Sequence, residues 1–166
     1  MSGSAGKELA GARRGCACGH ASPIVSSARL HRTPRRGTRM RIELNHTIVW
    51  CRDKQKSTRF LRDILDLPEP IPFGQMLVVP LSNGVSLDFF DSDAPIAMQH
   101  YAFLVSDAEF EQAFARIQAK GLAYWADPAK KRLGETYEHN GGRGLYFDDP
   151  DGHFLEIMTR PYDLGS

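Results

Sequence analysis

The chain has 166 residues, 42% hydrophobic and 25% charged, enough for one domain with a real core, and none of its apolar runs is long enough to span a bilayer. Three cysteines, Cys16, Cys18 and Cys51, make no disulfide framework, so the composition points to a reduced, cytoplasmic setting. The net charge of +1 conceals a split: residues 1–39 carry eight Lys/Arg and one acidic residue, residues 40–166 thirteen and nineteen, and so acidic a body argues against nucleic acid as its main partner.

Residues 1–39 are rich in Arg, Gly, Ala and Ser and lack hydrophobic periodicity, which predicts a disordered basic tail. Three readings compete for it: an organelle transit peptide, a basic arm for nucleic acid, or an upstream extension of a protein that begins at Met40. The third is preferred, with organelle import following from the first. Cys16-Ala17-Cys18-Gly19-His20 has no second ligand pair at usable spacing and is given no metal role.

From residue 40 onward the chain reads as a domain of alternating strands and helices. Leu44–Cys51 is a strand by its β-branched content. Asp53 caps a helix whose buried stripe is Phe60, Leu61, Ile64 and Leu65, stopped at Leu67-Pro68. Met76–Leu81 and Val85–Phe90 are strands joined through Ser82-Asn83-Gly84, a strong hairpin signal. The pattern then recurs. Gln99–Val105 is a strand; Ser106 and Glu109 form a capping box for a helix bearing Phe110, Ala113, Phe114 and Ile117; Gly121 ends it. Two last strands flank Asp149-Pro150-Asp151-Gly152, a turn in which proline presets φ and glycine leaves in the left-handed region.

The register supports an internal duplication, module one over 42–91 and module two over 98–160. His46 to Asp53 and His100 to Asp107 are equally spaced, Phe60 and Phe114 hold the same helix position, and Gly84-x-x-x-Asp88 matches Gly152-x-x-x-Glu156. Between helix and final hairpin the second copy is longer by fourteen residues, around Ala126–Arg143, and a long loop in a compact domain predicts a lid.

The duplication repeats one chemical oddity. His46 shares a strand face with Leu44, Ile48 and Trp50, and His100 with Ala102 and Leu104. Asp88 lies between Ser86 and Phe90, and Glu156 between Phe154 and Met158. A lone histidine on such a face is an ordinary hydrogen-bonded core residue, and a lone Glu reaches water at an edge; two pairs at equivalent points are better explained as a metal site. Imidazole and carboxylate without thiolate suit Fe(II), Mn(II), Ni(II), Co(II) or Zn(II), and two His with one carboxylate leave positions open for substrate. His46, His100 and Glu156 are the predicted ligands, with the shorter Asp88 as candidate for a fourth.

Residues 42–160 resemble the vicinal oxygen chelate superfamily, which includes glyoxalase I, extradiol ring-cleaving dioxygenases, fosfomycin-resistance thiol transferases and bleomycin-binding proteins. The resemblance implies an α+β fold of paired βαβββ modules whose sheet curls around a metal. By that pattern His46, His100 and Glu156 fall on ligand positions, and Asp88 falls where glyoxalase I carries Glu. The last stretch, His139, Leu145-Tyr146, Asp149-Pro150, Gly152 and Glu156, is similar to the extradiol dioxygenase signature, which implies substrate or oxygen contacts for His139 and Tyr146. The chain departs from it in having no His between His46 and His100, and in carrying Tyr137 two residues before His139. Trp125, Tyr146, Phe154 and Met158 are candidates for an aromatic pocket; Tyr101 alternates away from His100. The expected function is a divalent-metal-dependent enzyme on a small oxygenated organic molecule, extradiol-dioxygenase-like or glyoxalase-like. The alternatives are a fosfomycin-type thiol transferase and a metal-free bleomycin-like binding protein. The resemblance also implies a homodimer.

Overall fold

The computed structural model describes residues 42–163 and residue 165; the basic tail 1–39, the start expected at Met40 and the Cys16–His20 run lie outside the described residues. Module one runs β1 (His46–Cys51), α1 (Lys54–Leu65), β2 (Ile71–Phe73), β3 (Met76–Pro80) and β4 (Ser86–Asp91). Module two runs β5 (His100–Leu104), α2 (Asp107–Ala119), β6 (Tyr124–Trp125), β7 (Tyr137–His139), β8 (Gly142–Asp148) and β9 (Phe154–Met158). The sheets are ordered β1-β4-β3-β2 and β5-β9-β8-β6, with β7 also paired to β8. In each module the first strand lies parallel to the last, and the other pairings are antiparallel.

Local chemistry sets the helix starts. The Asp53 carboxylate accepts from the Gln55 and Lys56 amides, and Ser106 with Glu109 forms the reciprocal capping box. α1 ends one step earlier than Leu67-Pro68 indicates, because Asp66 takes the left-handed conformation and its N–H caps the Arg62 carbonyl. The Pro-rich stretch after it forms β2, which sits at the sheet edge where Pro72 withholds no needed ladder bond.

Period-two alternation divides each sheet into two faces. Val49, Cys51, Leu87 and Phe89 of module one, with Phe103, Leu145, Phe147, Leu155 and Ile157 of module two, belong to one core with Leu61, Ile64, Phe110 and Ile117 of the helices. Burial of each large apolar side chain here contributes about 1.5–3 kcal/mol. The opposite faces carry His46, Ile48, Trp50, Ser86 and Asp88 in one sheet and His100, Leu104, Tyr146, Phe154 and Glu156 in the other. Trp50 and Leu104 on these faces are exposed.

The Asp-Pro-Asp-Gly hairpin also joins the modules. Asp149 accepts from the Asp151 and His153 amides at 2.9 and 2.8 Å, closing the turn. Asp151 then reaches module one, accepting from the Arg52 amide at 2.9 Å and the Ser57 hydroxyl at 2.6 Å. Buried His153 accepts from the Gln99 amide at 3.1 Å and donates from Nε2 to the Trp50 carbonyl at 2.8 Å.

The fourteen extra residues of module two are built rather than loose. Asp127 accepts from the amides of Ala129, Lys131 and Arg132, Trp125 bridges to Leu133, and Tyr137–His139 adds a strand to β8. The lid expected over Ala126–Arg143 is therefore part sheet.

Candidate metal centre

The strand register turns the duplication into two equivalent half-sites. His46 pairs with Ser86, two residues before Asp88; His100 pairs with Phe154, two residues before Glu156. Each half-site thus sets one imidazole diagonal to one carboxylate on the face turned away from the helices.

In module two the pair is in contact. Glu156 is 0% exposed, and His100 Nε2 lies 3.2 Å from its Oε2. His100 Nδ1 lies 3.0 Å from the Phe154 carbonyl. A carbonyl only accepts, so Nδ1 bears the proton and a neutral ring points the Nε2 lone pair at the carboxylate. Two acceptors facing each other at that distance require a proton or a cation between them, and an imidazole oriented by its other nitrogen is how histidine is prepared as a ligand. His46 is set the same way: its Nδ1 lies 2.9 Å from Asn45 Oδ1, leaving Nε2 for another partner. Asp88 is buried, with Oδ1 accepting from the Ser86 hydroxyl at 2.8 Å. The chemistry of these donors fits a divalent ion: two imidazoles, each held through Nδ1, and two carboxylates.

An unpartnered buried carboxylate costs several kcal/mol. Glu156 avoids that cost mainly through one phenol. Tyr137 donates to Oε1 at 2.5 Å, and the Tyr162 hydroxyl lies 3.3 Å from both oxygens. The Tyr137 and Tyr146 hydroxyls are pushed well above the usual phenol range. Burial is the main cause for both. The next is the bond to Glu156 for Tyr137 and the bond to Tyr162 for Tyr146. Both therefore remain protonated donors.

Beside the pair runs an aromatic shelf. Tyr146 and Phe154 stack at 5.1 Å and 6°, Trp125 continues the row at 6.5 Å, and the His100 ring lies 6.1 Å from Tyr146. Lys130, ion-paired to Asp148 at 2.6 Å, holds its ammonium 4.7 Å from the Trp125 centroid and 4.9 Å from that of Phe154. Tyr101 stays off the shelf, its hydroxyl bonded to Gln99 and its pKa pushed up to about 12, mainly by burial.

The structure gathers only part of the set expected from sequence. His100, Glu156 and Tyr146 come together. His46 and Asp88 share the other sheet, and among the described residues no three His, Cys, Asp or Glu side chains of one chain converge as a metal cage. His139 is exposed on β7, in a shallow depression with Asp107, Glu138 and Arg143, and Tyr137 of the same strand is what reaches Glu156. Tyr137 and Tyr162 were not among the expected site residues. The signal for Tyr137 was its departure from the dioxygenase pattern; nothing local marks Tyr162.

The family model for the glyoxalase/bleomycin resistance protein/dioxygenase superfamily matches residues 43–157. The chain belongs to that superfamily. The solved structure of oxidase ChaP-H1 is 55% identical, with a TM-score of 0.73 over 76% of this chain and 100% of its own. Glutathione transferase FosA of Serratia marcescens is 29% identical over 120 residues, 69% of this chain and 78% of that protein. Metallothiol transferase FosB of Shouchella clausii is 25% identical over 122 residues, 70% of this chain and 79% of that protein. The fold is accordingly the α+β fold of paired modules that the superfamily shares, and superfamily members of these kinds are enzymes acting on small molecules. Among the described residues no helix is long and apolar enough to cross a membrane.

Proposed function

We propose that the protein is a divalent-metal-dependent oxidase of this superfamily, acting on a small, flat, oxygenated organic molecule. The observation that carries the reading is the His100–Glu156 pair, a fully buried carboxylate 3.2 Å from an imidazole nitrogen, at the edge of an aromatic shelf. The name of the 55% identical relative favours oxygen chemistry. The 29% and 25% identical thiol transferases support thiol transfer as the second reading.

A protomer supplies two ligands at each half-site, and three or four protein ligands are usual for such ions. We infer a homodimer in which the open sheet faces of two protomers meet, so that His46 and Asp88 of one complete a site with His100 and Glu156 of the other. Exposed Trp50, Ile71, Phe73 and Leu104 on or beside these faces give that contact an apolar component. Fe(II) is the ion best suited to oxidation, with Mn(II), Co(II), Ni(II) or Zn(II) suited to the second reading.

When bound, the ion would hold adjacent substrate oxygens and stabilise the negative charge that develops on them. The chain's own residues do the rest. The face of Tyr146, stacked on Phe154, offers a surface for a planar ring. The Tyr137 phenol orients Glu156, and the row to Trp125 keeps water from that side of the substrate. Tyr146, held protonated by its buried setting, can donate a hydrogen bond to a substrate oxygen.

The test is metal content after anaerobic purification, followed by oxygen uptake with catechols and related phenols, in the wild type and in His100→Ala and Glu156→Gln. Stoichiometric iron, lost in both variants, with substrate-dependent oxygen consumption supports the reading. Binding of other ions with thiol addition to an epoxide turns it to the transferase. A folded wild type that takes up no divalent ion refutes both.

A further inference from the structure

Glu156 takes Tyr137 on one oxygen and His100 on the other, and the reason lies one strand away. β7 runs antiparallel on β8 with Tyr137 opposite Gly144, and β9 lies on the other side of β8 with Tyr146 opposite Glu156. To reach Glu156 the Tyr137 side chain must cross the backbone of β8. It crosses at Gly144: a Cβ there would stand 2.3 Å from Cζ and Oη of Tyr137 and 2.6 Å from Cε1. No side chain larger than hydrogen leaves room for the ring. The crossing ends in a 2.5 Å bond to Oε1, the length of a charge-assisted O–H···O⁻ contact, while Oε2 faces His100 Nε2.

We propose that Tyr137, laid across the Gly144 notch, is the positioning residue that decides which oxygen of Glu156 is offered to the metal ion. The inference rests on the metal reading above and adds residues that the reading does not need. Tyr137 occupies Oε1, so the carboxylate presents Oε2 alone, on the side shared with His100. Module one shows the same device in another form, where the Ser86 hydroxyl holds Asp88 Oδ1. Tyr137 belongs to the extra fourteen residues of module two, which gives the insertion a defined role. It carries a hydrogen-bond donor to the one half-site whose acid has no hydroxyl two residues before it, Phe154 standing where module one has Ser86.

The experiment is a Co(II) titration of the full-length protein, wild type against Tyr137→Phe, Gly144→Ala and Tyr162→Phe, with far-UV circular dichroism on each. Tyr137→Phe keeps the ring against Tyr146, 5.6 Å away, and removes only the donor. Its Kd for Co(II) should rise about 10- to 100-fold, the usual effect of losing a partner that orients a ligand. Its visible Co(II) absorption should also weaken, because the freed Oε1 can join Oε2 on the ion and raise the coordination number. A purely structural role for Tyr137 would not move that spectrum. Gly144→Ala leaves every ligand and Tyr137 in the sequence and should reproduce both changes. Tyr162→Phe removes contacts of 3.3 Å from a half-exposed residue and should leave affinity and spectrum near the wild type. A wild type that binds Co(II) while Tyr137→Phe matches it in affinity and spectrum overturns this inference and leaves the metal reading standing. Equal losses in Tyr137→Phe and Tyr162→Phe also overturn the assignment to Tyr137. A folded wild type that binds no Co(II) overturns both.

Discussion

The proposed sharing of the site between protomers predicts a specific complementation. His46→Ala removes one ligand from module one and His100→Ala one from module two, and each homodimer alone has both sites damaged. When the two variants are mixed and allowed to exchange subunits, random pairing makes half of the dimers mixed. In a mixed dimer both substitutions fall in one site, where His46 of the first chain would have met His100 of the second. The other site receives an intact His46 and an intact His100. One site in two is restored in half of the dimers, so the mixture should recover about a quarter of wild-type metal binding from two nearly inactive parents. The arithmetic rests on the proposed dimer, for which the register supplies the half-sites: His46 with Asp88 on one sheet and His100 with Glu156 on the other. The assay is metal content per protomer after mixing, mild denaturant exchange and desalting, with each parent treated alone as control. No recovery, while a differentially tagged mixed dimer is isolated in the expected yield, would refute a shared site and require both half-sites to act within one chain.

Two further outcomes test the surfaces and the core. Leu104, 62% exposed on the face that bears His100, should lie in the dimer contact; Leu104→Asp should elute as a monomer on size exclusion with unchanged circular dichroism and reduced metal uptake, and a dimeric variant would exclude that face. Cys51 is completely buried, and burial first, then the charges of Asp151 and Asp91, push its thiol from 9.0 up to about 12. Its folded pKa lies above the unfolded one, so its contribution is intact below about pH 9 and is lost as pH rises towards 12, with a limiting slope of about 1.4 kcal/mol per pH unit. The midpoint of urea unfolding should fall between pH 9 and 10.5 in the wild type and stay flatter over that range in Cys51→Ala; parallel curves would show that Cys51 is not the group responsible.

Much of this protein is local chemistry and can be read without coordinates. Asp53 and the Ser106–Glu109 box start their helices because each places an oxygen within reach of amides one turn ahead. Asn83-Gly84 and Asp149-Pro150-Asp151-Gly152 close their hairpins because the glycines supply φ of 84° at both. Alternation along single strands put His46, Asp88, His100 and Glu156 among apolar neighbours, and the repeat made them two equal pairs. Distances along the chain fix such features, so one sequence suffices to see them.

What the sequence could not contain is which pairs meet. The facing of His100 on Glu156, the separation of that pair from His46 and Asp88, and the outward placement of His139 depend on strand register between segments tens of residues apart. A pattern match placed His139 beside the substrate, whereas the pairing of β7 on β8, with an open notch at Gly144, brought Tyr137 to the carboxylate instead. Composition and spacing determined two equivalent pairs of one histidine and one carboxylate on apolar strand faces. Only packing decided how the buried carboxylate is partnered, because the Tyr137 phenol that bonds Glu156 comes from β7, across the backbone of β8.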